Sequence, residues 1–234
     1  MTCHHNEKLI NLAWWDILVL TLIMFSYFIY SSLISYINLT DKLMGEVIES
    51  TNDMNWDMLS FQMVLLVSAM LYLWLRNFNF AQWPITINLK AIVQGVGIFL
   101  VVALAMDLFS LAAYYLVPPS ENLIYTAALP KLDFSLLLYS ALNGFYEEIF
   151  FLGICLAVTR DQRLLFILYS LLIRYAFHTY QGQIAAISIA LVIGGGFYFF
   201  YIIISPKNLF PFFLAHAFAD MFGMGTLNYL YGIT

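Results

Sequence analysis

Seven ionisable side chains lie inside stretches of this 234-residue chain that are otherwise apolar enough for lipid: Asp107, Glu147, Glu148, Arg174, His178, His216 and Asp220. A charge at the centre of a bilayer costs at least ~2.5–3.5 kcal/mol even on lenient insertion scales, so such residues face a bundle interior or a hydrated cavity and mark a function. The bland alternative is a hydrogen-bond network that only holds helices together, and for Asp107 taken alone, capping a packing contact or pairing with Arg174, it is the stronger reading. Spacing favours chemistry for the others. Residues four apart on a helix share a face, about 6 Å apart along the axis. His216 and Asp220 in FLAHAFADMFG therefore point together, as do Arg174 and His178 in LIRYAFHTYQG. Glu147 and Glu148 in NGFYEEIFFLG are about 100° apart around their helix. One carboxylate is thus expected to do the chemistry while its neighbour positions something.

A buried carboxylate beside a histidine can hold and deprotonate a water. A second histidine with a protonated or amide-like partner can stabilise an oxyanion. The same residue types are ligands for a divalent metal such as zinc. Both routes describe a hydrolase that activates water inside a membrane. Neither HExxH nor GxSxG occurs, so the soluble metalloprotease and serine hydrolase readings fall away. Cys3 and Cys155 are far apart and form no redox or metal pattern, and His4 and His5 sit in a polar tail.

The elements that must position these residues follow from composition. The chain is 63% hydrophobic and 10% charged, against about 45–50% and about 25% in soluble domains, which makes it an integral membrane protein. A net charge of −5 and the lack of a basic run exclude nucleic acid as a partner. The long apolar runs show no period-two alternation, so the expected fold is an all-α, polytopic membrane bundle of about seven helices, possibly eight. The predicted spans are Trp14–Ile37, Met58–Leu75, Ala91–Leu116, Phe134–Val158, Leu164–Tyr180, Ile184–Ile204 and Leu209–Tyr231. The first is too long for a signal-peptide core and lacks a small-residue cleavage site. With the N-terminus inside, the cytoplasmic segments carry Lys8, Arg76, Lys90, Arg160, Arg163 and Lys207, and the outer ones only Lys42 and Lys131, which fits the excess of basic residues on cytoplasmic loops. The 40–57 loop is acidic, RNFNFAQWPITINLK reads as an interfacial segment with an aromatic belt, and Gly194–Gly196 as a close packing site or kink.

At the ionisable residues the sequence resembles the CAAX-protease and bacteriocin-processing family of intramembrane endopeptidases. That family carries EExxxR, then FxxxH or a variant with Arg first, then HxxxN or HxxxD. Here the three read Glu147-Glu148-Ile-Phe-Phe-Leu152, Arg174-Tyr-Ala-Phe-His178 and His216-Ala-Phe-Ala-Asp220, over roughly Phe134–Met224. The resemblance implies residues 1–133 as N-terminal transmembrane helices and 134–234 as a catalytic core within one membrane unit. It implies hydrolysis of a peptide bond in a membrane-associated or lipidated substrate. By position, Glu147 activates the water, His178 assists, His216 and Asp220 stabilise the oxyanion, and Glu148 orients. No cofactor is expected, zinc being the alternative. The setting is a multi-pass protein of a bacterial plasma membrane, with bilayer and peptide or protein substrate as partners. Leu152 stands where the motif has Arg; Arg174 is expected to replace it from the next helix or to contact substrate. The departure admits an alternative, a catalytically degenerate relative acting in bacteriocin self-immunity or partner binding. A proton-coupled carrier using the same acids is a third reading, opposed by the lack of an inverted repeat.

Overall fold

The computed structural model describes residues 7–43, 51–116 and 132–223. Their regular elements are all helical, apart from one isolated bridge between Leu9 and Phe78. We label them α1 (Trp14–Asn38), α2 (Asn52–Leu75), α3 (Leu89–Leu116), α4 (Phe134–Glu148), α5 (Arg163–His178), α6 (Gln183–Ile203) and α7 (Phe210–Phe222). α4 runs straight into a π-helical turn, Ile149–Ile154, and α5 into a 3₁₀ turn, Thr179–Gln181.

The seven expected spans are thus seven helices, with shifted ends. α2 begins six residues before Met58, because Thr51 caps it by accepting the Met54 amide at 3.3 Å and because Asn55 is buried against Ser135 at 3.1 Å. A polar first turn is tolerated where the protein itself supplies its partners. The last span was expected to reach Tyr231; α7 ends at Phe222, and residues beyond 223 lie outside the described ones, as do Cys3, His4, His5, Glu46, Glu49 and Lys131. In the aromatic segment after α2, Phe78, Phe80 and Trp83 pack edge-on or tilted against one another, and Trp83 lies over Gly153.

Only α1, α2, α3 and α6 are long and apolar enough to cross a membrane by length and composition. The other three carry six of the seven ionisable residues, all but Asp107 of α3. α7 is sandwiched between α4 and α3, α4 also meets α2, and α5 lies against α1 and α6. Outward faces of the long helices leave Leu22, Val64, Val93, Leu104 and Leu191 exposed, a continuous apolar surface that a lipid environment would cover. Small residues let the inner helices touch. A Cβ on Gly144 of α4 would lie 2.5 Å from the Phe213 carbonyl of α7, and one on Gly194 of α6 would lie 2.7 Å from Leu171 of α5.

One charged residue inside the first predicted span was not among the seven. Asp16 is fully buried and binds Arg76 Nε at 2.8 Å and the Tyr72 hydroxyl at 2.6 Å. Its partners lie 56 and 60 positions away, beyond the reach of any local pattern.

Candidate active site

The α4 helix starts at Asp133, whose carboxylate accepts from the Ser135 hydroxyl and the Leu136 amide; these bonds hold its pKa below the usual carboxylate value. Fourteen residues on, its last turn delivers Glu147 and Glu148 to the centre of the bundle. The π turn begins immediately after them, and such turns recur at functional sites because the extra residue re-aims neighbouring side chains.

Both glutamates reach His216, one at each edge of the imidazole. Glu148 Oε1 lies 2.6 Å from Nδ1, and Glu147 Oε2 lies 3.6 Å from Nε2. The 100° separation is therefore met by the two edges of one ring. Glu148 Oε1 also accepts from Arg174 Nη2 at 2.7 Å, whereas Glu147 Oε2 is buried without a hydrogen-bond partner. Arg174 is 2% exposed; its guanidinium touches both carboxylates, with Nη1 3.6 Å from Glu147 Oε2, and stacks 4.0 Å over the Phe151 ring. Arg174 thus meets the paired glutamates from the next helix. Leu152, at the motif's Arg position, is buried among apolar side chains.

Asp220 Oδ1 lies 3.7 Å from His216 Nε2, so the four-residue spacing does bring the pair together. His178 Nδ1 donates to the Arg174 carbonyl at 2.8 Å. A carbonyl only accepts, so the neutral ring carries its proton on Nδ1 and keeps a lone pair on Nε2. His178 shares a cavity wall with Glu147 and Asp220.

Two site residues escaped the sequence reading. Asn143 donates to Asp220 Oδ2 at 2.8 Å and to Glu147 Oε1 at 3.3 Å, and accepts from Gln62 of α2 at 2.6 Å. Asn143 stands four residues before Glu147, a spacing that could have flagged it; a neutral amide draws less notice than a charge. Nothing in the sequence links Gln62 to the site. The cavity measures about 770 Å³ and is lined by hydroxyls, amides and aromatic rings from α1, α2, α4 and the end of α5, among them Ser32, Asn55, Gln62 and Tyr139.

Glu147, Glu148 and His216 each offer a ligand atom within 4.8 Å of the others. They fit zinc poorly. The 2.6 Å from Glu148 Oε1 to His216 Nδ1 is a hydrogen bond, too short for two ligands each about 2.0–2.2 Å from one ion in tetrahedral geometry. The guanidinium against both carboxylates already supplies the positive charge that a metal would bring.

Residues 129–222 match the family described as Type II CAAX prenyl endopeptidase Rce1-like. No curated protein and no solved structure matches the chain. The matched stretch contains α4, α5 and α7, and with them all three motifs; over these residues the chain is similar to the type II CAAX prenyl endopeptidases.

Proposed function

We propose that the protein is an intramembrane endopeptidase, multi-pass in a bacterial plasma membrane, which cleaves a membrane-associated or lipidated peptide with water activated by Glu147. The observation that carries this reading is the Oε2 atom of Glu147: 4% of the residue is exposed, the atom has no hydrogen-bond partner, and the residue lines the cavity. A water bound there gives its proton to Glu147 while its oxygen attacks the scissile carbonyl, with the lone pair on His178 Nε2 helping to hold it. The oxyanion that forms is met by a protonated His216 Nε2 and by Asp220 in its acid form, each supplying a hydrogen. Glu147 then returns the proton to the departing amine, so that acid and amine products leave and the enzyme is restored. Glu148 and Arg174 touch no reacting atom in this scheme; they fix the imidazole and neutralise the paired carboxylates.

The alternative, a non-catalytic relative acting in peptide immunity or partner binding, is favoured by Leu152. Purified protein and a quenched-fluorescence, lipid-anchored peptide separate the two. Glu147→Gln should lower turnover by at least about 10²-fold, the usual contribution of a general base, with the fold retained. Cleavage that survives this change removes the enzyme reading; cleavage abolished by a chelator and restored by zinc removes the metal-free scheme.

A further inference from the structure

The cavity reaches the surface at one end of the bundle. Its wall is built from the C-terminal half of α1 (Ser31, Ser35), the N-terminal part of α2 (Met54, Met58) and the far end of α7 (Gly223). Ser31, Ser35, Met54 and Gly223 are exposed, which makes them its rim among the described residues. The opposite end, where α1 and α7 begin, is closed: the chain before α1 pairs with the turn after α2 (Leu9 amide to Asn77 carbonyl, 2.9 Å) and with the segment after α4 (Leu12 amide to Ala157 carbonyl, 2.6 Å).

Charge divides along the same axis. Six of the nine Lys and Arg residues, Lys8, Arg76, Lys90, Arg160, Arg163 and Lys207, belong to segments at the closed end. Among the described residues, those at the open end hold only Lys42, against Asp41, Asp53, Asp57 and Asp133. The basic end of a multi-pass protein faces the cytoplasm. Gln62 Oε1, a buried acceptor on the wall, also lacks a hydrogen-bond partner, and a bound peptide's N–H group would satisfy it.

We infer that the chamber opens to the non-cytoplasmic side of the membrane and takes a cationic, apolar peptide from that side. The inference rests on the proposed peptidase reading for what happens inside the chamber, and on the rim and the charge division for its side and its preference. Acidic segments at the mouth raise the local concentration of a basic peptide and repel an acidic one.

The test reads access without turnover. In cells carrying the Cys3→Ser form, the thiol introduced by Ser35→Cys should react with a membrane-impermeant maleimide from outside, and in inverted vesicles it should not; Ser31→Cys, one turn away on the same rim, gives a second reading. Native Cys3 in the otherwise unchanged protein should show the reverse. Labelling of the rim only in inverted vesicles, or on neither side, overturns the inference. A Lys-flanked apolar peptide added outside should slow that labelling about tenfold more than its Glu-flanked counterpart at low ionic strength, with the difference shrinking in salt; equal protection, or none, overturns the preference. All of this should persist with Glu147→Ala, so loss of the proteolytic reading would leave the labelling pattern intact.

Discussion

Arg174 holds two carboxylates that would otherwise face each other across a dry interior. The family motif assigns an Arg four residues after the glutamate pair; here that position is Leu152, and the cation arrives from α5 instead, 2.7 Å from Glu148 and 3.6 Å from Glu147. Removing one partner of a buried ion pair leaves an uncompensated charge at a cost of about 3–5 kcal/mol. Arg174→Gln is therefore expected to lower the melting temperature in detergent and to depress turnover at least tenfold. Arg174→Lys should keep stability better than activity, because a point charge cannot bridge both carboxylates as the planar guanidinium does. Near-normal turnover in Arg174→Gln would end the assignment. Asp220 makes a second residue-scale prediction. In its proposed role of oxyanion donor it must carry a proton, so its contribution would be present at low pH and lost as pH rises through its titration. The amide of Asp220→Asn keeps N–H donors at every pH, so the variant should stay active with a flatter alkaline limb in the rate–pH profile. An inactive Asp220→Asn protein that still folds would show that the carboxylate acts as a base or an orienting group instead.

At the scale of the helix, what aligns these groups is the α4–α7 contact. Gly144 permits it: a Cβ there would meet the Phe213 carbonyl at 2.5 Å, the Ala217 amide nitrogen at 3.0 Å and His216 Cβ at 3.3 Å. Backbone cannot swing aside as a side chain can, so Gly144→Ala must push the helices apart and carry His216 away from both glutamates. Overpacking of this kind costs about 1–3 kcal/mol, and a 1 Å displacement of catalytic groups can cost about 10²-fold in rate. Gly97→Ala on α3, where nothing lies within 4 Å of the new methyl, should be neutral or slightly stabilising. Thermal unfolding and cleavage rate, measured on both variants, separate a packing requirement from a general intolerance of alanine. The same contact shows where sequence reasoning stops. Helices α4, α5 and α7 are legible because charges stand out in apolar runs, and the His216–Asp220 pairing because four residues return to one face. That Glu147 and Glu148 take opposite edges of one imidazole is not legible: it depends on the distance and rotation between two helices, which no spacing within either of them encodes. Asn143 and Gln62 are missed for a related reason, since neutral amides in an apolar run look tolerable until a partner on another helix makes them specific.

For the whole molecule, the segment that carries the family motifs is not a unit that the first three helices merely accompany. Gln62 of α2 donates to Asn143, and Asn55 of α2 to Ser135. Thr21 of α1 accepts from Tyr169 at 2.8 Å, Ser32 bonds Thr179 at 3.0 Å, and the Met24 carbonyl takes the Tyr146 hydroxyl. On α3, Gly95 lets the Pro211 carbonyl of α7 approach a would-be Cβ position to 2.9 Å. Stripping α1–α3 away would leave several buried polar groups unpaired, at about 1–3 kcal/mol each, and would turn the carboxylate-bearing α4 and α7 towards lipid, where ionisable groups are least tolerated. A fragment beginning at residue 129, where the family match begins, should therefore be degraded rapidly in the membrane fraction and show no cleavage. Supplying the preceding residues as a separate chain should lengthen its half-life and restore activity, since most of these contacts join the two parts without needing the link between them. A lone fragment that persists and cleaves at the full protein's rate would show that the three motif helices form their chamber unaided, and that the polar contacts from α1 and α2 are incidental to it.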